Sequence, residues 1–145
     1  MIAGLIGLTL AAAFAGAAIY INAAEHPARM GLPLDQAVRQ WRPSYARGFR
    51  MQGGLAVASG LAALAQWYLS GGLLWLAGGL LMLANWPFTL LVIMPINHRL
   101  EADGADRNAE SSDLLARWNQ LHAVRSGLGL TATVVLLAAA ACTLP

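Results

Sequence analysis

The sequence predicts an all-α fold, a four-helix antiparallel bundle integral to a membrane, and three observations carry that reading. The 145 residues are 58% hydrophobic and only 11% charged, with a mean hydropathy of +0.56, whereas a soluble domain carries about 25% charged residues. Four apolar runs, over about 2–23, 51–70, 73–96 and 118–143, each approach the roughly 20 residues that carry a helix across the hydrocarbon layer. The short alternating segments of a membrane β-barrel are absent. All charge falls between Glu25 and Arg125, in or beside two polar connections at about 24–48 and 97–113. The chain reads as one transmembrane domain, 1–145.

The first run has no basic residue ahead of it and is longer than a secretion-signal core, so it is read as a retained anchor. Its small residues Gly4, Gly7, Ala12, Ala13, Gly16 and Ala17 suit close helix packing. Tyr20 and Asn22 lie near its end, before Glu25 and His26, and Pro27 marks a bend. In the first connection, Leu34 to Trp41 is short and amphipathic and is expected to lie on the membrane surface. Pro43 should stop it, and Ser44 should cap the second span. Tyr45 and Gln52 then fall on one face, two turns apart, with Gly48 between them.

Ser70-Gly71-Gly72 permits only a tight hairpin, flanked by the aromatic belt of Trp67, Tyr68 and Trp75. Trp86-Pro87 should kink the third span and free a carbonyl near residue 83, where Thr89 can help. The stretch 101–112 is expected to be a loop, with Ser111 or Ser112 capping the last helix. On that helix Leu114, Trp118, Leu121, His122 and Arg125 share one face.

Every basic residue is an arginine, and the positive-inside rule places both connections in the cytoplasm and both termini outside an inner or plasma membrane. The net charge of +2 is therefore a topology signal and argues for the lipid bilayer, with no nucleic-acid partner. The lone Cys142 excludes an intramolecular disulfide, a zinc knuckle or a CxxC redox pair. Small-residue faces on the first and last spans suit a homo-oligomer.

Folding the runs into a bundle gathers Glu25-His26, Tyr45-Arg47-Gln52, Asn97-His98 and Trp118-His122-Arg125 at one cytoplasmic end. This exceeds what topology needs, because polar groups at membrane depth are costly. The ordered motifs AEHPAR, WxPSYxRGxxMQ, PxNxxL and LLxRWxxLHxxR, spread over nearly the whole chain, resemble those of the anthrone oxygenase-like family of small four-span membrane proteins. The resemblance implies a small, flat aromatic or phenolic substrate oxidised with dioxygen, and no cofactor.

On that reading His26 or His122 is the base, Arg47 or Arg125 stabilises the anion, and Tyr45, Gln52 and Asn97 orient the substrate. Glu25 holds a histidine in its useful tautomer, Arg29 joins the binding set, and Trp41 and Trp118 wall an aromatic pocket. Two other classes compete. His26 and His122, with Glu25, form a ligand set for haem, copper or iron, and a non-catalytic structural membrane protein would use the same charges to join helix ends. Transport is disfavoured, because the span interiors lack ionisable residues.

Overall fold

A computed structural model describes residues 1–102 and 109–143. Its helices are α1 (Ile2–Tyr20), α2 (His26–Met30), α3 (Leu34–Ser70), α4 (Leu73–Phe88), α5 (Met94–Ala102) and α6 (Ala109–Thr143). One π-helical turn, Ile21–Glu25, joins α1 to α2, and another, Thr89–Ile93, joins α4 to α5. There are thus four rods, packed in a ring with each antiparallel to its neighbours: α1 on α3, α3 on α4, α4 on α6 and α6 on α1. No strand occurs among the described residues.

Three of the rods, Ile2–Met30, Leu73–Ala102 and Glu110–Thr143, are long and apolar enough to cross a membrane. The run at 51–70 is not among them. Gln52, Ser59 and Gln66 dilute it, and all three are buried inside the bundle.

Small residues set the spacing of the rods. Gly7 meets the backbone of α3 so closely that an added Cβ would lie 3.1 Å from the Ala63 nitrogen, and a Cβ added to Gly60 or to Gly79 would lie 3.1 Å from the other's carbonyl oxygen. The packed face of α1 is Gly4, Gly7, Ala11, Phe14, Ala15 and Ala18; Ala12, Ala13 and Gly16 point outward, contrary to expectation. One core cluster, with Phe14, Trp75, Met82 and Leu136, fills this half of the bundle. A second, with Val38, Trp41, Ile93, Leu100, Leu115 and Trp118, fills the polar half.

Several local expectations are corrected. Pro43 does not stop a surface helix: α3 runs unbroken through it, and Ala37, Val38 and Trp41 are buried in the second cluster. Proline at that point removes one backbone donor, and packing on both sides holds the helix. Ser44 therefore lies inside α3 and caps nothing. Trp75 is no belt residue but 1% exposed, packed on Gly4, while Trp67 and Tyr68 are exposed. Glu101 lies in α5, and α6 already includes Ser111 and Ser112. The expected loop residues Asp103, Gly104, Asp106 and Arg107 lie outside the described residues.

The expected hairpin turns at Gly71 and Gly72, whose φ angles of 73° and 92° favour glycine. Near Pro87, Thr89 Oγ1 donates to the Asn85 carbonyl at 2.7 Å, two residues beyond the predicted position.

Candidate functional site

The π turn at Ile21–Glu25 creates the site. Asn22 and Glu25 lie three apart, yet Asn22 bonds to α6 and Glu25 to α3. Pro27 follows immediately and has no N–H to donate back into the ladder, while the His26 N–H reaches the Ile21 carbonyl. Wide turns of this kind recur at functional positions in helices.

Trp118, His122 and Arg125 stand on one face of α6, at the helical spacing of four and three. Opposite them, Tyr45, Gly48, Phe49 and Gln52 form one face of α3. With Ile21, Glu25 and Ser44 they line a cavity of about 20 Å³, room for one water molecule or a molecule of similar size. Arg125 reaches a second void of about 10 Å³, lined also by Phe49, Gly53, Ala56, Asn85, Trp86 and Thr89.

His122 is 2% exposed, and its ring is oriented by Asn22. The Asn22 amide nitrogen donates to Asn119 Oδ1 at 2.7 Å and to the Asn119 carbonyl at 3.0 Å. That leaves Asn22 Oδ1 as the acceptor, 3.2 Å from His122 Nδ1 and 2.6 Å from Ser126 Oγ. An amide oxygen only accepts, so Nδ1 carries the proton and Nε2 keeps its lone pair.

Arg125 is 6% exposed, with its guanidinium 5.5 Å over the Phe14 ring. It has no carboxylate partner among the described residues, and its Nε has no hydrogen-bond partner. Gln52 Nε2 and Trp118 Nε1 are also buried without partners. Three unsatisfied N–H groups thus belong to residues around one small cavity that already holds a bare imidazole nitrogen. Buried donors of this kind are rare because each costs free energy, and together they favour an anion.

The remaining predicted residues divide. Glu25 lines the cavity but holds no histidine. Its Oε1 accepts from Arg29 at 2.5 Å, from Ser44 and from Gln40, so its charge is neutralised by Arg29 and Oε1 is fully engaged. Arg29 is 2% exposed, lies 5.7 Å from the Trp118 ring centroid and also donates to Gln40, which makes it a partner of Glu25 rather than a lining residue. His26 is buried and stacks with Trp118 at 6.2 Å, with Nδ1 unpartnered; His122 stacks with the same indole at 5.0 Å.

Trp41 lies behind the cavity, stacked flat on Tyr45 at 4.9 Å and edge-on to Trp118. Tyr45 donates to Met94 Sδ at 3.5 Å. Burial raises its phenol pKa above the usual value, partly opposed by a hydrogen bond with Asn97. Asn97 is fully buried and does not line the cavity. Arg47 is exposed and lines a groove outside it, so it does not share the anion site of Arg125.

The alternative metal set of His26, His122 and Glu25 is not gathered: among the described residues no three His, Cys, Asp or Glu are placed to hold an ion. His26 faces an indole, Glu25 is occupied by an arginine, and His122 Nδ1 by an amide. Sequence reasoning missed Asn22, Asn119 and Ser126 as a working group. The available signal was spacing, because Asn119 and Ser126 flank His122 at three and four residues, within one turn on either side.

Outside the cavity, a groove of about 630 Å³ opens between α1 and α3, lined by Ala17, Tyr20, Gln40, Pro43, Arg47 and Met51. Ile21, Glu25, Ser44 and Gly48 belong to both spaces and form the partition between them.

No curated protein and no solved structure shows significant similarity to the chain. The sequence profile described as anthrone oxygenase matches residues 41–135, which carry Tyr45, Gln52, Trp118, His122 and Arg125, and the chain belongs to that family.

Proposed function

We propose that this protein is a membrane oxygenase that converts the benzylic CH2 of an anthrone-like phenolic aromatic into a carbonyl, with dioxygen as the oxidant. Family membership supports the class of reaction. The observation that carries the mechanism is the pairing, one turn apart on α6, of an imidazole with a bare Nε2 and a buried guanidinium with no counter-charge among the described residues. Of the two histidines considered as base, the geometry favours His122, because His26 does not line the cavity.

His122 Nε2 takes one proton from the CH2 group, and the C–H electron pair spreads from that carbon over the ring system as an enolate, with Arg125 beside the reacting carbon and the oxygen it gains. That electron-rich anion reduces dioxygen as a C–O bond forms, and the outer oxygen recovers the proton from His122 to give a hydroperoxide. His122 then removes the second proton. Its C–H pair becomes the second bond of the carbonyl, the O–O bond breaks, and the departing hydroxide takes the proton to leave as water. The balance is CH2 plus O2 giving C=O plus H2O.

Burial makes the guanidinium effective, since a charge interaction grows as water is excluded. The three apolar rods together with α3, packed along them, are read as a four-span bundle with the site at its cytoplasmic end.

The test is oxygen uptake by the protein in liposomes with 1,8-dihydroxyanthrone, corrected for uptake without protein. One O2 per carbonyl formed is expected, with His122→Ala slower by about a hundredfold or more and His26→Ala affected far less. No protein-dependent uptake, or equal rates for wild type and His122→Ala, overturns the proposal. A Soret band, or stoichiometric copper or iron, in the active protein would replace it with the cofactor-binding reading.

A further inference from the structure

The groove between α1 and α3 has a composition that a lipid-facing surface does not need. It runs from Ala17, Ile21 and Met51 at the apolar level to Gln40, Ser44 and Arg47 at the polar level. Its volume of about 630 Å³ falls in the range of small-molecule sites, about 300–1,000 Å³, while the inner cavity of about 20 Å³ is too small for an aromatic ring system. Arg47 carries no ion pair among the described residues, and Glu25 beside it is already neutralised by Arg29. The polar end of the groove therefore presents a net positive charge.

The partition has an unusual member. Gly48 sits inside α3, where glycine is a poor choice, and a Cβ added there would meet nothing within 4 Å. Neither close packing nor a positive φ accounts for it, in contrast to Gly7, Gly60 or Gly71, and unlike the equally free Gly54 and Gly127 it lines both the groove and the inner cavity. What the missing side chain leaves is open space where the groove and the inner cavity adjoin.

We propose that this groove is the binding site for a flat phenolic aromatic that partitions into the bilayer and enters between α1 and α3, and that the gap at Gly48 admits its reacting edge to the inner cavity. Arg47 takes the acidic hydroxyl edge, Met51, Ala17 and Ile21 take the apolar faces, and dioxygen or the reacting carbon alone occupies the inner space. The inference rests on the oxygenase reading for what happens next, but not for binding itself.

The experiment measures saturable binding of 1,8-dihydroxyanthraquinone, which has no CH2 left to oxidise, to the full chain in lipid nanodiscs, alongside oxygen uptake with 1,8-dihydroxyanthrone. Gly48→Leu fills the gap and should weaken binding about tenfold or more. Arg47→Gln should weaken it less, by about threefold to tenfold. Gly127→Leu, at an exposed position equally free of neighbours, should bind as wild type does. If Gly48→Leu does not fold, Gly48→Ala serves, with a smaller loss of binding in a protein at least as stable as wild type.

Absence of saturable binding to wild type, or wild-type binding by the Gly48 variants, overturns the groove proposal. Oxygen uptake that persists unchanged in Gly48→Leu overturns it too while leaving the oxygenase reading intact. The expected binding pattern without any uptake supports the groove and removes the oxygenase reading.

Discussion

The most informative single perturbation is Asn22→Leu, which keeps the branched outline of the side chain and removes both the oxygen that holds His122 Nδ1 and the nitrogen that holds Asn119. Leaving the buried Nδ1–H without an acceptor costs about 2 kcal/mol, within the usual range of about 1–3. The proton is then driven to Nε2, where it abolishes the base. At about 1.36 kcal/mol per decade, that penalty depletes the useful tautomer by about thirtyfold, and kcat for oxygen uptake should fall by a similar factor. Loss of the other bonds should also lower stability, by about 1 kcal/mol for each bond not replaced.

Two readouts separate orientation from damage. Nitrogen NMR of the His122 ring should show Nδ1–H in wild type and a shift toward Nε2–H in Asn22→Leu. Asn22→Asp retains an acceptor and should keep Nδ1 protonated and recover much of the rate. A variant in which His122 remains fully Nδ1–H, or in which kcat is unchanged while His122→Ala is inactive, would refute the assignment of Asn22 as the positioning residue.

Two further outcomes follow from the same geometry. Arg125→Met removes a buried charge that has no counter-charge among the described residues, so thermal unfolding should show stability unchanged or raised, while oxygen uptake falls by about a hundredfold for loss of an oxyanion partner. Tyr45 has its pKa raised mainly by burial, so the folded protein keeps it neutral where the unfolded chain ionises. Its contribution is complete below the unfolded value of about 10 and is lost as pH rises through the folded one. The unfolding midpoint of wild type should therefore drop more steeply above that pH than that of Tyr45→Phe, and equal slopes would refute it.

The parts of the fold legible in the sequence were those written in composition and spacing. Apolar runs gave the rods, Gly71-Gly72 gave the hairpin, and the spacing of Trp118, His122 and Arg125 gave one face of α6. What stayed hidden depends on geometry between segments. Pro43 reads locally as a stop, but packing of Trp41 and Val38 against α5 and α6 carries the helix through it. Glu25 is expected to hold a histidine in its useful tautomer, yet His26 turns to Trp118 and the carboxylate to Arg29, Ser44 and Gln40. Asn22 carries no local mark of its role, because nothing nearby in the sequence shows that a π turn aims it at a residue 100 positions away.

The dilution of the 51–70 run also acquires a reason. Gln66 Oε1 accepts from the Gly4 N–H at 3.1 Å, and Ser59 Oγ donates to the Gly7 carbonyl at 2.7 Å, so two of the three polar residues that lower the hydropathy of α3 bind it to α1. Such bonds between membrane helices contribute about 0.6 kcal/mol each on average, and here they coincide with glycine contacts that bring the two backbones together. The joined half lies at residues 4–7 and 59–66. Toward residues 17–21 and 48–51 the same two helices line the groove, and beyond it the Ser44 and Gln40 side chains span the gap to Glu25. A pair of helices fixed at one end and joined by side chains at the other can open at the second end without losing the first. Entry of a flat ligand would then require only that the Glu25 contacts with α3 rearrange, while the α6 face carrying His122 and Arg125, held to α1 through Asn22, stays in place.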